Sequence, residues 1–153
     1  MQLMKIQSIL LSLLLIVLFN GCSVLNKSVS QKENIQTIVN KAANSKLILL
    51  DVYHDRCETC KLIEPVFEQL EKDYSQSPDV VFLKYDLSNP VTYLRSRRIA
   101  KAIGVEEIYK AQRYSGIVLF IDSMTKMVLD SLIGEERIEK YNEIIENRLK
   151  ERA

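Results

Sequence analysis

The segment Leu47-Ile48-Leu49-Leu50-Asp51-Val52-Tyr53 is apolar except at Asp51, and Cys57-Glu58-Thr59-Cys60 follows after three residues. An uninterrupted apolar run of this length is the pattern of a strand covered on both faces. Beyond it, Leu62, Ile63, Val66, Phe67 and Leu70 recur at i, i+3/i+4 spacing and predict a helix over residues 59–74. Two thiols therefore stand where a buried strand gives way to a helix. The first sits at the helix N-terminus, where unpaired N–H groups and the helix dipole stabilise a thiolate. A pair at this spacing can open and close a small disulfide ring, and it can equally supply half of a zinc site. His54, the only histidine, lies three residues before Cys57 and would be the third ligand in the metal reading. The motif alone leaves both open.

The rest of the chain supplies the surroundings. A helix is predicted over residues 36–43, with Ile35, Ile38, Val39 and Ala42 on one face. Pro65 should kink the helix after the cysteines. A second strand is expected over 80–85, and a helix over 90–103 with Leu94, Ile99, Ala100 and Ile103 as its apolar positions. Arg95, Arg97, Arg98 and Lys101 make the outer side of that helix basic, which reads as a solvated face, and Gly104 ends it. Residues 105–114 show no clear periodicity and read as a connection. Residues 117–122 and 127–132 form strands joined by Ser123-Met124-Thr125-Lys126, and Gly134 leads into a last helix carrying Ile138, Tyr141, Ile144, Ile145 and Leu149. A helical crossover makes the first two strands parallel, and the closing hairpin is antiparallel. The expected fold is α/β, a central mixed sheet of about four strands with helices on both faces.

Residues 1–21 read as an export signal: Lys5 is their only charge, and the apolar run from Ile9 to Phe19 has the length of a signal h-region, short for a membrane span. The run ends in Leu18-Phe19-Asn20-Gly21-Cys22, which resembles the lipobox of bacterial lipoproteins and implies lipidation of Cys22. Residues 22–33 then form the lipidated cysteine and a polar tether, with a reach of about 33 Å for ten extended residues. Residues 34–153 form one domain. Of three cysteines, lipidation of Cys22 leaves Cys57 and Cys60 as a pair, so no odd thiol remains in an exported protein. The formal charge is +1, and removing Lys5 with the signal takes it to about zero, which argues against a nucleic-acid partner. The expected location is a bacterial membrane, facing the periplasm or cell exterior.

From about Lys46 to Leu149 the element order, with Cys-x-x-Cys after the first buried strand, resembles the thioredoxin family. The resemblance implies a redox-active Cys57–Cys60 disulfide that needs no cofactor, with Cys57 as nucleophile and Cys60 as the resolving thiol. It implies Asp51 as a buried acid relaying protons to Cys60, Lys84 as the partner of Asp51, and substrate contact at Arg56, Glu58, Thr59, Ser115 and Gly116. Lys61, Pro65 and Gly134 also match. The physics agrees for Asp51, since burial of a carboxylate in an apolar strand raises its pKa and makes it a proton acceptor. Three departures stand out. Arg56 occupies the place of a tryptophan, Ser115 that of a cis-proline, and residues 87–116 exceed a minimal thioredoxin in length. The missing proline removes a residue that shapes substrate grip and keeps metals off the cysteines.

The expected activity is that of a membrane-tethered thiol–disulfide oxidoreductase, in the reducing direction, acting on envelope protein disulfides and recharged by an upstream electron donor. Two alternatives compete with it: a non-catalytic binding lipoprotein on the same scaffold, and metal binding through Cys57, Cys60 and His54.

Overall fold

The computed structural model describes residues 34–152. The export signal, Cys22 and most of the tether lie outside the described residues. The elements are α1 (Ile35–Asn44), β1 (Leu47–Tyr53), α2 (Glu58–Asp73), β2 (Val80–Asp86), α3 (Pro90–Ile103), α4 (Glu106–Ala111), β3 (Ile117–Asp122), β4 (Val128–Ile133) and α5 (Ile138–Lys150). The four strands form one sheet in the order β2-β1-β3-β4. β1 pairs parallel with β2, and antiparallel pairing joins β1 to β3 and β3 to β4. This is the mixed sheet that the element order implies.

β1 is interior to the sheet and covered on both faces, which is why its sequence runs apolar without alternation. The period-2 pleat still sorts its side chains. Ile48, Leu50 and Val52 enter one core with Ile38, Ala42, Ala100, Ile103 and Tyr109 from α1, α3 and α4. Leu47 and Leu49 enter the other, with Ile63, Phe67 and Leu70 from α2 and Tyr141 and Ile145 from α5. Asp51, two residues after Leu49, thus shares the face beneath α2 and α5. On β2 the same alternation sends Val81, Leu83 and Tyr85 to the first core and Val80 and Phe82 to the second, so Lys84 shares the face of Asp51. The two are also register partners across the β1–β2 ladder.

α3 starts with Asn89, whose side chain accepts from the backbone N–H groups of Val91 and Thr92 in a capping box. It ends at Gly104, whose φ of +83° suits the left-handed C-cap position. Two expectations need correction. The segment read as an irregular connection contains α4, which buries Tyr109 and donates its hydroxyl to the Tyr93 carbonyl at 3.1 Å. Leu62 and Leu94, read as inward-facing, are about half exposed at 53% and 49%. Leu62 sits a step of about 100° from the buried Ile63, on the side of α2 turned away from the core that Ile63 enters.

Candidate functional site

β1 ends at Tyr53, and the turn His54-Asp55-Arg56 swings the chain from the sheet into α2. The turn is held at both ends: Cys57 N–H donates to the His54 carbonyl at 3.0 Å, and Asp55 N–H donates to Ser88 Oγ at 3.0 Å. Cys57 is the N-cap of α2, with extended backbone, and its sulfur accepts from Cys60 N–H at 3.1 Å. An N-cap side chain normally supplies oxygen to this first-turn donor; here sulfur does so, and the same N–H can stabilise a thiolate. Cys57 and Cys60 form a disulfide, with Cα atoms 5.2 Å apart. Cys57 is half-buried and Cys60 is 1% exposed, so only the first sulfur is open to attack from outside. Cys60 Sγ lies 3.9 Å from the Val52 carbonyl, next in chain to Asp51.

Asp51 is buried, and its Oδ1 is the only buried side-chain polar atom without a hydrogen-bond partner among the described residues. Its pKa is pushed up to about 7, chiefly by burial. The Lys84 charge offsets part of the rise, while Glu64, Glu71 and Asp86 add to it. The Lys84 ammonium itself is bonded to Glu64 at 2.7 Å and lies 4.4 Å from the centre of the Tyr53 ring. Lys84 is thus beside Asp51 in register, with its ion pair made elsewhere.

Of the expected contact residues, Arg56 and Glu58 are exposed and Thr59 is half-buried. Glu58 pairs with Lys61 at 2.7 Å, which moderates its repulsion of a Cys57 thiolate. Gly116, directly before β3, comes up against this end of α2, and Ser115 precedes it in the chain. Among the described residues no peptide bond is cis, so Ser115 stands in trans where the resemblance expects a cis-proline. Gly116 has a φ of +82°, and a Cβ placed there would lie 2.9 Å from Thr59 Cγ2 and 3.5 Å from Cys57 Sγ. Gly134 approaches the same methyl, its Cβ position falling 3.1 Å away, and its N–H donates to the Gly116 carbonyl at 3.0 Å. Two glycines therefore let the backbone close over Thr59 beside the disulfide. Tyr114, 81% exposed, and Ile133, 76% exposed, flank these glycines in sequence. Neither was singled out from sequence, nor was Glu64. A large side chain within two residues of a glycine is the only sequence signal for the first two.

His54 is not gathered with the cysteines as a third ligand. Its Nδ1 sits 3.0 Å from both Arg56 N and Asp55 Oδ1, and no group of three His, Cys, Asp or Glu residues is arranged to hold a metal ion among the described residues.

A helix-capping dithiol at the end of an interior strand, with one sulfur open and one buried, defines the site of a thiol–disulfide protein. The chain belongs to the thioredoxin family: the family model described as Thioredoxin matches residues 26–108, a span that includes Asp51, Cys57, Cys60 and Lys84 and ends before Ser115. It is 39% identical over 94 residues to the chloroplastic thioredoxin F1 of Arabidopsis thaliana, covering 57% of this chain and 48% of that one. To the thioredoxin of Borreliella burgdorferi it is 35% identical over 60 residues, covering 39% of this chain and 44% of that one. The chain spans about half the length of the first of these relatives. Among solved structures, the germline-specific thioredoxin Deadhead of Drosophila melanogaster aligns with a TM-score of 0.45 at 24% identity, over 71% of this chain and 86% of that one.

Proposed function

We propose that the protein is a thiol–disulfide oxidoreductase, tethered through Cys22 to a bacterial membrane and reducing disulfides of extracytoplasmic proteins. The observation that carries the reading is the asymmetry of the pair: a half-buried Cys57 at a helix N-cap, and a buried Cys60. In the reduced form the Cys57 thiolate attacks one sulfur of a substrate disulfide. A Cys57–substrate disulfide forms, and the other substrate sulfur leaves as a thiolate. The Cys60 thiol then gives its proton to the Asp51 carboxylate and attacks Cys57 Sγ. This closes Cys57–Cys60 and expels the second substrate thiolate. Two electrons pass from the dithiol to the substrate, and a dithiol electron donor returns them. Lys84 tempers the charge on Asp51, while Arg56, Glu58, Thr59, Ser115 and Gly116 form the surface that meets the client.

Cys60→Ser in the native envelope should accumulate mixed disulfides that dithiothreitol releases, and Cys57→Ser should accumulate none. Equal trapping by both variants, or by neither, would sink the reading. Cys22→Ala should release the protein from the membrane fraction; persistence there would contradict the lipid anchor. Serine at position 115, where the family has its proline, favours a second reading, a binding protein with a structural disulfide. Absence of insulin reduction together with absence of trapping supports that alternative.

A further inference from the structure

Among the described residues, Lys84 is the one cation whose charge lowers the pKa of the buried Asp51, yet its ion pair is made with another carboxylate. Lys84 and Asp51 face the same side of the sheet as register partners, and Asp51 Oδ1 has no hydrogen-bond partner. The Lys84 ammonium donates to Glu64 Oε1 at 2.7 Å. Glu64 lies on α2, seven residues after Cys57 and directly before Pro65. We infer that Glu64 is a positioning residue: by taking the Lys84 ammonium it leaves the Asp51 carboxyl without a paired cation, and so sets the pH range in which the site accepts and returns a proton. The inference rests on the proposed role of Asp51 as the proton acceptor for Cys60.

The charges around Asp51 agree. From β2 it is faced by Lys84 and Asp86, and from α2 by Glu64 and Glu71. From α5, Tyr141 adds a neutral phenol, which burial and then the Asp51 charge hold protonated. Three carboxylates and one ammonium thus act on Asp51, and the ammonium is bonded to one of the three, Glu64. Burial pulls the pKa of Lys84 down, but the hydrogen bond and charge of Glu64 lift it above its ordinary value, so the lysine stays charged while Asp51 titrates. A carboxylate that kept this cation would ionise at lower pH. Glu64 acts twice in the same direction, as a like charge near Asp51 and as the group that draws Lys84 away. The second effect is the one that makes it a positioning residue.

The two effects separate in a double-mutant cycle. Glu64 and Lys84 side chains are each about one-third exposed (35% and 36%), so Glu64→Gln and Lys84→Met leave the core intact. The full-length chain in detergent micelles, in its disulfide form and carbon-13-labelled at aspartate, reports the Asp51 carboxyl by NMR. Glu64→Gln should move the Asp51 midpoint down by about one pH unit, and Lys84→Met should move it up. In the Lys84→Met background, Glu64→Gln should produce less than half of its original shift. An unmoved or rising midpoint in Glu64→Gln overturns the inference, and so do equal shifts in both backgrounds, which would make Glu64 a bare charge. The titration needs no client and no turnover. A shift found alongside failed Cys60→Ser trapping overturns the oxidoreductase reading and leaves the positioning of Lys84 standing.

Discussion

Asp51→Asn is expected to stabilise the oxidised protein at pH 8, by on the order of 2–4 kcal/mol, and to do much less at pH 4. Burial raises the carboxyl from its ordinary 3.8 to about 7 in the folded chain. Each pH unit of such a difference corresponds to about 1.4 kcal/mol, which puts the ceiling near 4 kcal/mol. The sign follows from proton binding. Between about pH 4 and pH 7 the folded state holds a proton that the unfolded state has released, so stability falls as pH rises through this window. Above it the folded protein carries a buried carboxylate at full cost. Asparagine removes the charge but leaves a buried amide with few partners, which takes the expected gain below the ceiling. Guanidinium unfolding at pH 4 and pH 8 measures this directly. The wild type should lose stability between the two, and the variant should lose far less. The same substitution should flatten the pH dependence of Cys60 resolution, because the group that accepts its proton is gone.

Gly116→Ala is expected to destabilise the protein by about 2–5 kcal/mol, from two additive causes. A φ of +82° is a conformation that L side chains rarely adopt, costing roughly 1–2 kcal/mol. The new Cβ would also meet Thr59 Cγ2 at 2.9 Å and Thr59 Cβ at 3.0 Å, and overpacking of this kind costs about 1–3 kcal/mol. Thr59→Ser removes Cγ2 and should restore part of the loss in the double variant, while the backbone cost remains. Denaturant unfolding of the two single variants and the double reads the coupling. Full restoration by Thr59→Ser would mean that the backbone term is absent. No restoration would mean that the close approach over Thr59 carries no energy.

Much of the site can be read from the chain because it lies on one buried strand and the helix after it. Burial of β1 from Leu47 to Val52 leaves an apolar run in which Asp51 is conspicuous, and the pleat assigns Asp51 to the α2 face once Leu47 and Leu49 are on it. Cys57 and Cys60 are a local pattern at a helix start, so their order of exposure follows from the geometry of the first turn. What stays hidden is non-local or short. α4 spans Glu106–Ala111, too few residues for a 3.6-residue period to register, although Val105 and Tyr109 bury at i, i+4. The Glu64–Lys84 pair bridges twenty residues of sequence, and nothing near Glu64 marks it as the group that draws the lysine from Asp51. The positive φ at Gly116 depends on how β3 meets Thr59, which is a tertiary contact. Leu62 and Leu94 fit an apolar stripe by spacing but find no partner element on their side.

The most direct measurement is a redox titration of the Cys57–Cys60 pair in the full-length chain, followed by thiol alkylation across dithiothreitol and glutathione buffers. A reducing dithiol of this kind should show one reversible two-electron transition, at about −270 to −200 mV. A pair that stays oxidised throughout, or a midpoint near −120 mV as in strong oxidants, would contradict it.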